Sequence, residues 1–230
     1  MVRVDRQEPG RGRTWVVGDI HGCAETLARL LAELDLRKKD RLLSAGDLFH
    51  RGPEPFGVYE QLEALGPRFG MVMGNHEWAL LNRIETADGS LDDLRGDNGA
   101  AMAPLVGKQA KHIVRFLRDR PYAIEGERPD GQGWYLVHAS VLPGKPPKQM
   151  TPRQLVRLTR CTDVDGEPTW LSQWRGPELV VFGHAQSMAG PHRRGGKVVA
   201  WGLDTGAVYG RELTALCLEE LETVAVPAYV

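Results

Sequence analysis

Three short apolar segments in the first third of the chain constrain the fold more than any other feature. Each is predicted to be a β-strand that ends in a glycine-containing turn and leads into a helix. The predicted strands are Thr14–Val17, Arg41–Ala45 and Phe69–Met73. Three successive strand–turn–helix units predict a parallel sheet with helices packed on it, so the expected fold class is α/β.

The rest of the chain is predicted to be richer in β-structure, with two further helices at Gln109–Arg118 and near Pro152–Leu158. Its predicted strands are Tyr122–Glu125, Trp134–Val137, Leu179–Phe182, Lys197–Leu203 and Leu213–Leu218. The first two of these flank a Pro-Asp-Gly turn and are expected to form a hairpin. The last two are expected to pair with each other.

The domain organisation is predicted to be simple. A flexible N-terminal tail of residues 1–13 precedes a single domain of residues 14–230, a length near the upper end for one domain. Residues 86–107 contain Asp-Gly, Arg-Gly and Asn-Gly pairs that interrupt the strand–helix rhythm. These pairs indicate a surface insertion, and we consider it a candidate lid.

Composition argues against several classes of partner and location. The chain has 29 basic and 30 acidic side chains and a net charge of −1, which argues against a nucleic acid or a membrane surface as partner. Its apolar runs are too short to span a bilayer, and its polar, basic first residues do not resemble a secretory signal. Cys23, Cys161 and Cys217 are widely spaced and typical of reduced thiols, so the expected location is the cytoplasm.

Residues that can bind a metal follow the predicted strands. Six of them are Asp19, His21, Asp47, Asn75, His138 and His184. The intervals from Asp19 to Asp47 and from Asp47 to Asn75 are both 28 residues, the length of one strand–helix–strand unit. These side chains are therefore expected at one edge of the sheet. Imidazole nitrogens combined with carboxylate and amide oxygens suit manganese, iron, zinc, nickel or cobalt better than calcium.

Five short motifs occur in a fixed order along nearly the whole chain. They are Gly18-Asp19-Ile20-His21-Gly22, Gly46-Asp47 with Arg51-Gly52-Pro53, Gly74-Asn75-His76-Glu77, His138-Ala139 and Gly183-His184. In order and spacing they resemble the calcineurin-like metallophosphoesterases. Within that superfamily, the segments 46–53 and 202–206 are most similar to bacterial symmetrical diadenosine tetraphosphatases. The resemblance implies a central β-sandwich flanked by helices, with the active site at the C-terminal ends of the strands.

The resemblance also implies two divalent transition-metal ions, with manganese preferred over the alternatives. One ion would be bound by Asp19, His21 and Asp47. The second would be bound by Asp47, Asn75, His138 and His184, so that Asp47 bridges the two. Two ions held about 3.5–4 Å apart can share a hydroxide that is nucleophilic at neutral pH.

Three further residues receive catalytic roles from the resemblance. Arg51 and Arg160 would hold phosphate oxygens with their planar guanidinium groups. His76 would donate a proton to the leaving oxygen. Arg160 fits a solvated charge at a helix end equally well.

Three functions are compatible with these residues. The first is hydrolysis of a phosphoanhydride bond of a dinucleoside polyphosphate, with a small-molecule nucleotide as substrate. The second is a Ser/Thr phosphoprotein phosphatase with the same binuclear site. The third is a non-catalytic binding module on a phosphatase scaffold, which the complete ligand set disfavours.

His50 helps to separate the first two functions. Ser/Thr phosphatases have an aspartate at this position, directly before the arginine, and that aspartate keeps the acid histidine charged. A serine alkoxide must be protonated as it leaves. A departing nucleoside diphosphate is stable at neutral pH, because the second pKa of a phosphate monoester is about 6. His50 therefore favours a nucleotide substrate.

Overall fold

The strands of the protein form two β-sheets that pack face to face. The computed structural model describes residues 2–10, 12–86, 107–157 and 169–229. In this part of the chain the strands are β1 (Val4–Arg6), β2 (Thr14–Val17), β3 (Arg41–Ser44), β4 (Phe69–Met71), β5 (Ala123–Glu127), β6 (Gly133–Val137), β7 (Leu179–Phe182), β8 (Gly190–Arg194), β9 (Lys197–Gly202), β10 (Glu212–Cys217) and β11 (Glu222–Pro227). The α-helices are α1 (Ala24–Leu34), α2 (Pro55–Ala64), α3 (Asn75–Thr86), α4 (Gly107–Leu117), α5 (Pro152–Val156) and α6 (Thr169–Gln173).

The five-stranded sheet has the order β11-β10-β2-β3-β4. Strands β2, β3 and β4 run parallel, with Val16 opposite Leu43 and Leu43 opposite Gly70. Helix α1 connects β2 to β3, and α2 connects β3 to β4. The predicted strand–turn–helix units are therefore present, and the α/β fold class is confirmed.

The six-stranded sheet has the order β1-β5-β6-β7-β9-β8. Strands β5 and β6 form the predicted hairpin, with Ala123 opposite Val137. Strands β6, β7 and β9 run parallel, so the C-terminal ends of β6 and β7 lie side by side. This arrangement brings His138 next to the residues that follow β7.

Apolar side chains fill the space between the sheets and cover both outer faces. The buried cluster between the sheets includes Val16, Leu43, Leu136 and Val181. On the outer face of the five-stranded sheet, the buried stripe of α1 is formed by Leu27, Leu30 and Leu34. A third cluster on the outer face of the six-stranded sheet includes Leu155, Trp170 and Phe182. The result is a β-sandwich flanked by helices.

The predicted pairing of the last two strands is wrong. Strand β9 lies beside β7 and β8 in the six-stranded sheet, whereas β10 lies between β2 and β11 in the other sheet. Trp201 of β9 and Leu216 of β10 both pack into the cluster between the sheets. The two strands therefore meet face to face across the core and not edge to edge.

The N-terminal residues that were expected to form a flexible tail include a β-strand. Val4–Arg6 forms β1, which pairs in parallel with residues 123–125 of β5. Val2 and Val4 pack against the cluster on the outer face of the six-stranded sheet. This burial gives the segment a reason to be ordered that its short, mixed sequence does not reveal.

Two of the predicted features cannot be placed in the fold. Residues 87–106 of the candidate lid and Arg160 lie outside the described residues. Among the helices that are described, none is sufficiently long and apolar to cross a membrane.

Candidate metal centre

Turns at the C-terminal ends of five strands bring the predicted ligands together. These strands are β2, β3 and β4 of one sheet and β6 and β7 of the other. The residues that follow them are Asp19, His21, Asp47, Asn75, His138 and His184. The structure places all six in one region at the seam between the sheets.

Backbone strain is concentrated in this region. Four of its residues have a positive φ: His21 (49°), Asp47 (54°), Arg51 (81°) and His184 (67°). Non-glycine residues rarely adopt this conformation, which costs of order 1–3 kcal/mol for each residue. Such strain persists only where surrounding contacts hold it in place, and it clusters at functional sites.

The Asp47 carboxylate lies at the middle of the centre. Its Oδ1 accepts a hydrogen bond of 3.0 Å from the backbone N–H of His76, in the first turn of α3. The helix dipole favours a negative charge there. Its Oδ2 lies 3.8 Å from His21 Nε2 and 3.5 Å from His138 Nε2. One oxygen is thus held by the helix, and the other faces histidines on both sides.

Two groups of three side chains share Asp47. The ligand atoms of His21, Asp47 and His76 lie within 4.8 Å of one another, and so do those of Asp47, His138 and His184. A carboxylate that belongs to both groups can bridge two cations. The first group contains His76, which the resemblance assigns to proton transfer, in addition to the predicted ligand His21.

Buried Glu77 holds the turn that carries Asp47. Its carboxylate accepts hydrogen bonds from the backbone N–H groups of Asp47 (2.8 Å), Leu48 (2.8 Å) and Gly74 (3.2 Å). These bonds connect the turn after β3 to the turn after β4. Glu77 therefore positions the Asp47 carboxylate, a role that the sequence only suggests by placing it next to His76.

His138 shows most directly that a cation belongs here. Its Nδ1 donates a hydrogen bond of 2.7 Å to the carbonyl of Ala45, which can only accept. Burial lowers the pKa of His138 to about 4, so the ring is neutral and Nε2 carries a lone pair. That lone pair lies 2.8 Å from Asn75 Oδ1, 3.1 Å from His184 Nδ1 and 3.5 Å from Asp47 Oδ2. Nε2 and the Asn75 amide oxygen both carry lone pairs and have no proton to share, so these electron-pair donors converge on one point, as the ligands of a metal ion do.

Asp19 and His21 occupy the other side of Asp47. Both oxygens of Asp19 accept from the backbone N–H of His184 at 3.1 Å, which fastens one sheet to the other. His21 Nε2 lies 3.9 Å from Asp19 Oδ2. The same nitrogen accepts a hydrogen bond of 3.1 Å from Arg51 Nη1. A cation bound by His21 would replace Arg51 as the partner of this lone pair.

Two glycines allow the backbone to approach the carboxylates closely. A Cβ at Gly74 would lie 2.2 Å from Asp47 Oδ1, and a Cβ at Gly183 would lie 2.1 Å from Asp19 Oδ1. Any other residue would push these carboxylates out of place. These two glycines of the sequence motifs are therefore required by contact with the site.

The electrostatics of the centre require a positive partner. Burial and the nearby charges of Asp204 and Asp47 raise the pKa of Asp19 well above its ordinary value. Burial also raises the pKa of Asp47 to about 7 and, together with Asp47, that of Glu77 to about 8. Carboxylates buried this close together ionise fully only when cations compensate their charge. The donor set and its charge thus fit divalent metal ions.

His76 and His50 lie side by side next to the centre. Their ring centroids are 5.1 Å apart; His50 is buried, and the His76 side chain is 15% exposed. Burial, with the nearby Arg51, lowers the pKa of His76 to about 4. Neither nitrogen of His50 nor Nδ1 of His76 has a hydrogen-bond partner among the described residues. His50 therefore lies next to His76, the predicted acid, as its predicted effect on that acid requires.

Two further residues, Arg157 and Asp204, lie near the centre. Arg157, directly after α5, lies 5.8 Å from the ring of Trp78. Burial lowers the pKa of His184 to about 3, with nearby charges that include Arg157 adding to the effect. Asp204 is buried, and its Oδ1 accepts from the Gly206 N–H at 3.1 Å, which closes the turn after β9. No motif or periodicity marks Arg157.

The fold and this centre together define a metal-dependent phosphoesterase. A model of the calcineurin-like phosphoesterase family matches residues 12–208, and the chain belongs to that family. It is therefore a metal-dependent hydrolase of phosphoric esters or anhydrides. This result speaks against the non-catalytic alternative.

Relatives within the family share one name. The symmetrical bis(5'-nucleosyl)-tetraphosphatase of Yersinia enterocolitica is 26% identical over 280 aligned positions, which cover 94% of this chain and 91% of that protein. The enzyme of the same name from Serratia proteamaculans is 29% identical, and the alignment covers 94% of each chain. The predicted resemblance to this group is confirmed.

Solved structures show the same fold. The crystal structure of a candidate diadenosine tetraphosphatase has a TM-score of 0.79 and 28% identity, with 100% of this chain and 99% of that chain covered. A protein serine/threonine phosphatase from Saccharomyces cerevisiae has a TM-score of 0.63 and 14% identity, with 99% and 84% covered. The second likeness shows the fold alone.

Proposed function

We propose that the protein hydrolyses a phosphoanhydride bond of a dinucleoside polyphosphate such as diadenosine tetraphosphate, with manganese as the preferred metal. The observation that carries the proposal is the Asp47 carboxylate, which two groups of ligand atoms share. The names of the relatives, aligned over nearly the whole chain, support the substrate class.

In this proposal the residues of the centre hold two divalent ions. Asp19, His21 and Asp47 would bind one ion, and Asp47, Asn75, His138 and His184 the other. When bound, the two ions neutralise phosphate charge and activate water for hydrolysis. The hydrogen bonds from His76 N–H to Asp47 and from His184 N–H to Asp19 orient the carboxylates in advance.

Arg51 would bind the phosphate that is attacked. Its side chain reaches His21 Nε2 at 3.1 Å, so its guanidinium lies at the border of the centre. A planar fork of N–H donors matches two phosphate oxygens and stabilises the charge that they carry during the reaction. Arg160 is proposed for a similar role on the strength of the resemblance alone.

His76 would give a proton to the leaving oxygen. Its backbone N–H holds Asp47, and its ring Nε2 lies 3.9 Å from Asp47 Oδ2. Its neighbour is His50, which cannot stabilise a charged imidazole as an aspartate would. Anhydride cleavage tolerates a weak acid better than cleavage of a phosphoserine ester does, which supports the nucleotide over the phosphoprotein.

The experiment that tests this function compares two substrates with the manganese-loaded protein. Diadenosine tetraphosphate and a phosphoserine peptide are incubated separately, and products are resolved by ion-exchange chromatography. We expect two ADP from each dinucleotide and a kcat/KM at least about tenfold above that for the peptide. Asp47→Asn serves as the matched control and should lower both activities about a thousandfold or more, so an activity that this substitution leaves unchanged comes from a contaminant. Preference for the peptide would make the protein a phosphoprotein phosphatase instead.

A further inference from the structure

Tyr209 presents an aromatic ring to solvent at the border of the metal centre. It is 57% exposed, and Tyr229 is 59% exposed; within the described residues these are the two large hydrophobic side chains that remain exposed. Exposure by itself is ordinary for a single side chain. The position of Tyr209 distinguishes it from Tyr229.

One guanidinium group connects Tyr209 to the centre. Arg51 Nη1 donates to the phenol oxygen of Tyr209 at 3.0 Å and lies 3.1 Å from His21 Nε2. The guanidinium carbon is 5.9 Å from the centroid of the Tyr209 ring. The ring is therefore adjacent to the group that would bind phosphate.

The turn that carries Tyr209 is firmly built. Gly206 and Gly210 bound it with φ values of 80° and 76°, which glycine adopts without strain. The N–H groups of Tyr209 and Arg211 both donate to the carbonyl of Gly206, at 3.0 and 3.2 Å. Ala207 is buried in the core beneath the turn. An aromatic ring on such a turn loses little conformational entropy when a ligand covers it.

We propose that Tyr209 is a nucleobase-binding subsite, on which the base of a nucleotide stacks while Arg51 and the metal centre hold its phosphates. The inference rests on the proposed function and extends it to the part of the substrate that is not phosphate. Stacking of a base on an aromatic ring depends little on which base it is, because every base has a π-face. The subsite therefore selects nucleoside polyphosphates as a class, and a phosphopeptide offers no planar base to fill it.

The test compares two ligands that differ only in the nucleoside. Calorimetry measures the binding of α,β-methylene-ADP and of methylenediphosphonate, neither of which is hydrolysed, to the manganese-loaded protein. We expect Tyr209→Ala to weaken the binding of α,β-methylene-ADP about tenfold and the binding of methylenediphosphonate less than about twofold. Tyr209→Phe keeps the ring and should bind both ligands as the parent does.

Tyr229→Ala is the matched control, because Tyr229 is equally exposed and also lies beside an arginine, with Arg29 at 4.7 Å from its ring centroid. It should leave both affinities unchanged. Equal loss for both ligands in Tyr209→Ala or Tyr209→Phe would mean that Tyr209 only positions Arg51, and no loss would mean that no base binds there. Either result overturns the proposal.

Turnover of diadenosine tetraphosphate by the parent separates this failure from failure of the proposed function. A parent that cleaves the dinucleotide, with Tyr209→Ala unaffected in binding, refutes the subsite alone. The opposite result is a parent that does not cleave the dinucleotide, together with a Tyr209→Ala variant that selectively loses affinity for α,β-methylene-ADP. That result supports the subsite and refutes the proposed substrate.

Discussion

The two sheets contribute differently to the metal centre. The five-stranded sheet supplies both carboxylates, the amide and one imidazole, from Asp19, Asp47, Asn75 and His21, on turns after consecutive strands. The six-stranded sheet supplies only imidazoles, His138 and His184, from turns after two neighbouring strands. The first sheet thus brings the negative charge that attracts cations. In the proposed centre, the second sheet would complete the coordination of one of them.

Each sheet also orients the donors of the other. The carbonyl of Ala45, at the end of β3, accepts the hydrogen bond that fixes the ring of His138. The backbone N–H of His184, after β7, holds the carboxylate of Asp19. The centre is therefore assembled only when the sandwich is closed, and damage to its two sides should have different consequences.

Asp47→Asn should have the largest effect. Removal of the shared carboxylate charge should weaken the binding of both cations, and we expect kcat/KM to fall about a thousandfold or more. Metal content measured by mass spectrometry should fall below one ion per chain. Two full equivalents of metal in this variant would show that Asp47 does not bridge.

His184→Asn should have a smaller and more selective effect. Asparagine tolerates the positive φ of this position, so the turn should survive. Because His184 belongs to one ligand group only, metal content should fall from two ions to one. We expect activity to drop about a hundredfold. Loss of both ions would contradict the prediction that His184 binds only one of them.

Glu77→Gln should affect the five-stranded side without removing a ligand. The amide of glutamine offers one oxygen to three backbone N–H groups, so the turn of Asp47 should loosen. A change in such a supporting group typically costs about 10- to 100-fold in metal affinity or activity, and we expect the lower end. Titration with manganese should show a higher dissociation constant with an unchanged stoichiometry of two.

Asp40→Asn should change stability and leave catalysis alone. Asp40 is buried like the carboxylates of the centre, but its oxygens accept from Arg13 Nη2 at 2.7 Å and from the Arg13 N–H at 2.9 Å. Burial opposes ionisation, yet these bonds and the N–H of Arg37 leave the pKa of Asp40 below its ordinary value. We expect a loss of about 1–3 kcal/mol in the free energy of unfolding at pH 7.

The pH dependence of that loss follows from the sign of the shift. A carboxylate with a lowered pKa in the folded state stabilises the protein above its unfolded pKa, which is about 3.9. The stabilisation disappears as the pH falls through the folded pKa. Denaturant unfolding of parent and variant should therefore differ by a constant amount from pH 7 to about pH 4 and converge below it. A gap that persists in acid would show that shape, and not charge, makes Asp40 stabilising.

The contribution of each sheet also explains what could be predicted from the sequence. The equal intervals between Asp19, Asp47 and Asn75 follow from repeated strand–helix units and place three predicted ligands on one edge. No equal interval connects His138 or His184 to that edge, and they were predicted from their positions after strands and from the motif resemblance. Which sheet a strand joins depends on which core it covers, so the pairing of β9 with β10 was wrong. The role of Glu77 likewise depends on two turns that meet only in the folded chain.

Anomalous diffraction from crystals grown with manganese tests whether Asp47 binds two ions at once. We predict two peaks about 3.5–4 Å apart, both within bonding distance of the Asp47 carboxylate. The peak on the side of the six-stranded sheet should also contact His138 and His184. A single peak at full occupancy, or a second peak that does not touch Asp47, would contradict a centre shared between the two sheets.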